Sequence, residues 1–183
     1  MTSGYLVLIV GPSGAGKDTL LNLARTHFAS REDVVFQRRV ITRPADTTED
    51  HEPVTEAEFE GRDFALSWHA HGLRYGIPLD LETMLAAGKT VIVNVSRTIV
   101  AGTRLRFRTF AIEITASPNV LAARLAGRGR ETSTDIATRI SRTVTPIRPD
   151  SIIVNDGLPT EAGQQLISIL EALTKGEKKA ALF

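Results

Sequence analysis

Apolar residues along this chain fall in short runs separated by longer stretches of mixed character, the pattern of buried strands alternating with helices. The strand runs are residues 5–10, 34–41, 90–95, 110–115 and a short buried one at 152–154. Between them, helical spacing predicts a first helix reaching about Phe28, with Thr19, Leu20, Leu21, Leu23 and Ala24 on its buried face. A second spans 78–87, opened by a proline and closed by Gly88, and a third starts at Ser117-Pro118. A terminal amphipathic helix covers 159–173. Two stretches break the alternation. Thr55 and Glu58 form a capping box for a short helix, and FALSWH (64–69) reads as a strand returned at Gly72 through Arg74 and Tyr75.

The first strand runs straight into Gly11-Pro12-Ser13-Gly14-Ala15-Gly16-Lys17 and then into a helix. Strand, glycine loop and helix in this order let backbone N–H groups converge on one anion at the positive end of the helix, with Lys17 reaching the terminal phosphates. The loop is therefore read as a nucleoside-triphosphate site. One position departs from the usual spacing: Asp18 stands where a hydroxyl residue normally meets magnesium. A carboxylate is the stronger ligand for a hard cation, but an acid in a helix's first turn is also favoured by the macrodipole, so both roles stay open. The 90–95 strand ends in Asn94 and Ser96 with no acid, which suggests that the metal-binding carboxylate has moved into the loop.

Arginines cluster twice. Arg38, Arg39 and Arg43 occupy one extended stretch before Pro44, where a second phosphate site or a solvated edge would each fit. Arg124, Arg128, Arg130, Arg139 and Arg142 face only Glu131 and Asp135, with Gly127 and Gly129 breaking the helical pattern. An arm of that kind can close over a transferring phosphate; two solvated helices joined by a glycine turn are the alternative. His69 and His71, two apart on a predicted strand, would share a face. Without cysteine or nearby acids they fit a pocket lining or plain surface better than a metal.

Composition narrows the classes. At 183 residues and 42% hydrophobic content the chain can bury one core, with room for an inserted lobe. A net charge of +1 demands neither a nucleic-acid groove nor an anionic membrane. The chain has no cysteine, which fits a reducing compartment, and the early apolar run is too short for a signal peptide or a membrane span. A cytoplasmic protein is expected, with no nucleic-acid or membrane partner and an oligomeric state left open. Arginine outnumbers lysine 17 to 5, so most arginines need no special role.

Taken together, GPSGAGK, TRP, the EAEF helix, FALSWH with RYGIP, AGKTVIVNV, RLAGRGR with ATRI, and IIVNDG resemble the guanylate-kinase-like nucleotide kinases over nearly the whole chain. GPSGAGKD, VITR, EDH, LSWHAHGLRYG, VNVSR and RGRE are most similar to the ribose 1,5-bisphosphate phosphokinase branch of that family. The resemblance implies a single α/β P-loop domain over 1–183, a three-layer sandwich with a parallel central sheet. A small substrate-binding lobe would lie at about 38–78 and an arginine-bearing lid at about 126–142.

It also implies ATP and Mg2+ as cofactors and ribose 1,5-bisphosphate as the small-molecule substrate. Gly11, Pro12, Ser13, Gly14, Ala15, Gly16, Lys17, Asp18 and Thr19 would hold the phosphates, with Asp18 at the metal, and Asn155 and Asp156 would border adenine. Lys17, Arg128 and Arg139 would act on the transferring group, helped by Arg130 and Arg142. Arg39, Arg43, His51, Ser67, His69, Tyr75 and Ser96 would face the acceptor. The guanylate kinases carry acids that read guanine where this chain has Ser67 and Ser96, so a guanine acceptor is a poor fit. A nucleoside monophosphate kinase and a non-catalytic interaction module remain the alternatives, the latter opposed by the intact loop.

Overall fold

The computed structural model describes residues 4–44, 50–127 and 147–176. In chain order the elements are β1 (Leu6–Val10), α1 (Lys17–His27), β2 (Val34–Phe36), β3 (Arg39–Ile41), β4 (His51–Pro53), α2 (Glu56–Glu60), β5 (Phe64–Ala70) and β6 (Leu73–Pro78). Then follow α3 (Asp80–Ala86), β7 (Thr90–Asn94), a 3-10 turn (Arg97–Ile99) leading into α4 (Val100–Arg106), β8 (Thr109–Thr115), α5 (Pro118–Gly127), β9 (Ser151–Val154) and α6 (Pro159–Thr174). The expected α/β fold with a parallel central sheet is present. Its five strands run in the order β2-β7-β1-β8-β9, with β2 parallel to β7 and β8 parallel to β9. Leu6, Leu8, Ile9, Phe110, Ile112 and Ile114 are fully buried, as strands covered on both faces require. No helix among the described residues is long and apolar enough to cross a membrane.

The chain divides into two compact units, each discontinuous in sequence: Met1–Leu8 with Arg31–Phe110, and Ile9–Ser30 with Ala111–Phe183. The first contains a second sheet of four strands in the order β4-β3-β6-β5. It is mixed, with β4 parallel to β3 and β6 antiparallel to both β3 and β5. In the second unit α1 packs on α6, and the close approach requires Gly163, where a Cβ would lie 2.7 Å from Leu23 Cδ1.

Several expectations are corrected. The 34–41 run is not one strand: its first half joins the five-stranded sheet and its second half the four-stranded one. The last bond to β7 is Gln37 N to Ile92 O at 3.0 Å, and two residues later Arg39 is in register with His51. Each half satisfies its own sheet, so the apolar pattern alone cannot show the change. Pro78 ends β6, and α3 starts at Asp80 with acids at 80 and 82 facing the positive helix end. Thr19 is exposed on α1 instead of lying on its buried face. His71 sits in the hairpin turn at φ 54° and so does not share a strand face with His69. β9 ends the order of its sheet and is buried on one face only, leaving Ile152 and Val154 about half exposed.

Candidate active site

The phosphate loop joins β1 to α1 in the second unit. Gly11 turns at φ 146°, where a Cβ would collide with the carbonyl oxygen of Ile114 at 1.9 Å. Gly16 caps α1 at φ 89°, a left-handed conformation that a side chain rarely adopts. As a glycine, Gly16 offers no side-chain cap to this helix end. Lys17 folds back over the loop and donates from Nζ to the carbonyls of Gly11 (2.9 Å) and Pro12 (2.8 Å). Those bonds hold the ammonium at the loop, where a triphosphate would compete for it. Pro12 and Ser13 are partly exposed, while Gly14 and Ala15 are buried. Thr19 is exposed one turn into α1.

The turn after β9 supports the loop from below. Asn155 is 2% exposed and donates from Nδ2 to the Ala15 carbonyl at 2.9 Å. Its neighbour Asp156 accepts from the backbone N–H of Ser117 at 2.6 Å, at the start of α5. The Asn155 side chain is thus committed to the loop backbone and that of Asp156 to the start of α5.

Asp18 lies in the first turn of α1, partly exposed. Magnesium at a triphosphate takes one or two carboxylates together with phosphate oxygens and water, and Asp18 is a carboxylate of the kind such a site would need. Among the described residues no three His, Cys, Asp or Glu cluster in a way that could hold a metal by themselves.

The acceptor candidates lie in the first unit. Thr42 is tied to β6 through its N–H to Arg74 O (3.1 Å) and through Oγ1, which accepts from Arg74 N (2.9 Å). The next residue, Arg43, has its carbonyl 3.2 Å from Nε2 of His51 on β4; a carbonyl only accepts, so that ring nitrogen carries the proton. His51 is 3% exposed. It therefore braces the backbone of Arg43. Arg38 is consumed in the same bracing, donating to His51 O at 2.8 Å and pairing with Asp50 at 2.8 Å. Arg39 lies 5.5 Å from the ring centre of Tyr75, and Tyr75 stacks on Trp68 at 5.2 Å. The strand register that pairs Trp68 with Tyr75 builds this platform, and sequence reading missed Trp68's part in it. Its signal was present in the spacing of LSWHAHGLRYG about the Gly72 turn.

Ser67 and His69 are exposed on β5. His69 Nε2 accepts from Arg74 Nε at 3.0 Å, and Arg74 also reaches Glu60 (3.1 Å) and Glu56 (3.4 Å), so this histidine faces an ionic cluster on the lobe. Ser96 follows β7 and caps the 3-10 turn, accepting from Thr98 N at 3.3 Å and Thr98 Oγ1 at 2.9 Å. Arg128, Arg130, Arg139 and Arg142, and with them nearly all of the expected lid, lie outside the described residues.

A scan against models of protein families finds no match. The chain is 54% identical to ribose 1,5-bisphosphate phosphokinase PhnN of Acidiphilium cryptum over 168 residues, covering 92% of this chain and 93% of the relative. It is 46% identical to the protein of the same name in Methylobacterium radiotolerans over 175 residues, 92% and 98% of the two chains. Among solved structures it is similar to guanylate kinase from Anaplasma phagocytophilum, with TM-score 0.66 and 22% identity over 93% of this chain and 86% of that one. At that identity the likeness speaks for the fold alone.

Proposed function

The chain belongs to the ribose 1,5-bisphosphate phosphokinase family, and from that premise we propose that it transfers the γ-phosphoryl group of ATP to the 1-phosphate of ribose 1,5-bisphosphate. The products are 5-phosphoribosyl 1-diphosphate and ADP. The observation that carries the phosphotransfer is the loop itself: glycines at 11 and 16 at positive φ where a Cβ would collide, a helix that starts from a glycine N-cap, and Lys17 held at the loop carbonyls.

An oxygen of the acceptor's 1-phosphate attacks the γ-phosphorus, and the bond from that phosphorus to the β-bridging oxygen breaks, its electron pair leaving with ADP. The attacking oxygen is already ionised, so no general base is required and catalysis rests on alignment and charge neutralisation. Loop N–H groups and Lys17 hold the β- and γ-phosphates. Mg2+, when bound, neutralises charge on their oxygens, and Asp18 is the carboxylate that would hold it. Arg43 and Arg39 grip the acceptor phosphates, and by resemblance to the family Arg128 and Arg139, with Arg130 and Arg142, would act on the transferring group. Ser67 and Ser96 offer hydroxyls where purine reading would need carboxylates, which favours an acceptor without a base. The absence of cysteine from the whole chain fits work in the cytoplasm.

A coupled ADP-release assay with ribose 1,5-bisphosphate and with guanosine monophosphate tests the assignment. Turnover is expected with the sugar bisphosphate only; turnover with the nucleotide alone would make the protein a nucleoside monophosphate kinase.

A further inference from the structure

We infer that Asn155 is a positioning residue for the phosphate loop, acting through the Ala15 carbonyl and not through the base of the nucleotide. Its backbone is anchored by the N–H to Thr115 O at 2.8 Å, and its side chain is 2% exposed. The carboxamide donates to Ala15 O at 2.9 Å, and the same nitrogen lies 2.4 Å from where a Cβ on Gly16 would stand. The amide thus fills the space that the third loop glycine leaves open.

The chemistry requires an amide. Ala15 presents a carbonyl, so the facing atom must be a donor, and a carboxylate of identical shape would set oxygen against oxygen. The consequence follows from peptide geometry. In a planar trans peptide the C=O and the next N–H point in opposite directions. Drawing the Ala15 carbonyl toward Asn155 turns the Gly16 N–H to the opposite side of the loop, where a phosphate oxygen can accept it. Oδ1 of Asn155 has no hydrogen-bond partner among the described residues, so the single bond to Ala15 is what orients the side chain.

This inference rests on the reading of the loop as a triphosphate site. The test measures binding of ATP and of inorganic tripolyphosphate, which has no base, to the full chain by calorimetry, for the parent and for Asn155→Asp. Both ligands are expected to weaken by the same factor, about tenfold or more, because a hydrogen bond that aims a donor at a charged ligand is lost. The KM for the acceptor is expected to stay within about twofold, a split that general loosening of the fold would not produce. Weakening of ATP with tripolyphosphate unchanged would overturn the inference and return Asn155 to the adenine. No change in either would overturn it as well. If Asn155→Asp does not fold, Asn155→Ala carries the same two-ligand comparison. A parent protein that binds neither ligand would instead refute the triphosphate reading of the loop.

Discussion

On the function proposed above, the phosphate loop and the four-stranded lobe would solve the same problem, holding a phosphate, with different materials. The loop works with backbone: Gly11 and Gly16 take conformations that direct peptide groups, and Asn155 fixes one of those peptides from beneath. The lobe works with side chains: Arg39 over the Trp68–Tyr75 stack, and Arg43 on a segment braced by His51 and Arg74. A backbone site tolerates almost no change in shape. A side-chain site divides its task among several groups and should degrade by steps.

The sharpest test of that contrast is Gly16→Ala. The added methyl would meet Asn155 Nδ2 at 2.4 Å in a residue already at φ 89°, so the loop must distort. Losing preorganised donors of this kind costs about 10²–10³-fold in turnover. A fall in kcat of that size, with the fold intact by circular dichroism, would support the contrast; a loss under tenfold would break it.

In the lobe, Arg43→Ala is expected to raise the acceptor KM by about 10–100-fold, the worth of hydrogen bonds to a charged group. His51→Leu removes only the brace on the Arg43 carbonyl and should raise the same KM by about 3–10-fold, with His51→Gln, which keeps a donor near Nε2, close to the parent. Steady-state kinetics on the three variants and on the Arg43–His51 double variant would show the two effects to be non-additive. Additive effects would mean that His51 acts on the acceptor by another route.

Asp18→Asn probes the acidic side chain that follows Lys17 at the end of the loop. The magnesium concentration giving half-maximal activity should rise about tenfold, because a neutral amide is the weaker ligand for a hard cation. An unchanged magnesium titration would move the metal away from residue 18.

The smallest effect is expected at the capping box of α2, which belongs to neither phosphate site. Thr55→Ala should lower stability by about 1 kcal/mol in urea unfolding without altering either KM. The Thr55 backbone N–H holds the Glu58 carboxyl below the ordinary carboxylate range, followed by the bond from the Thr55 hydroxyl. A carboxyl whose folded value is depressed contributes stability above its unfolded value and loses it as pH falls through the folded one. The difference between parent and variant should therefore shrink below the ordinary carboxylate range, and a difference growing toward acid would contradict the box.

The two regions were unequally legible. GPSGAGK between a strand and a helix announces its conformation, because only glycine adopts the required angles and the lysine position follows from the turn. The lobe gave weaker signs. Arg38, Arg39 and Arg43 read alike in sequence, yet Arg38 is tied to Asp50 and to His51 O, while Arg39 lies over an aromatic ring. Likewise His69 and His71 read as sharing a strand face, and His51 and His69 as facing the acceptor. One braces a backbone carbonyl, one meets Arg74, and one forms a hairpin turn.

By itself, then, the amino-acid order determined the α/β alternation, the phosphate loop, the capping box and the family, because each depends on residues adjacent in the chain or on their period. Only the tertiary structure decided that residues 34–41 serve two sheets, that Trp68 stacks on Tyr75, and that Asn155 reaches Ala15. Those outcomes depend on strand register and on contacts between distant segments, and a shift of one residue in register would turn each side chain to the other face while leaving the local pattern unchanged.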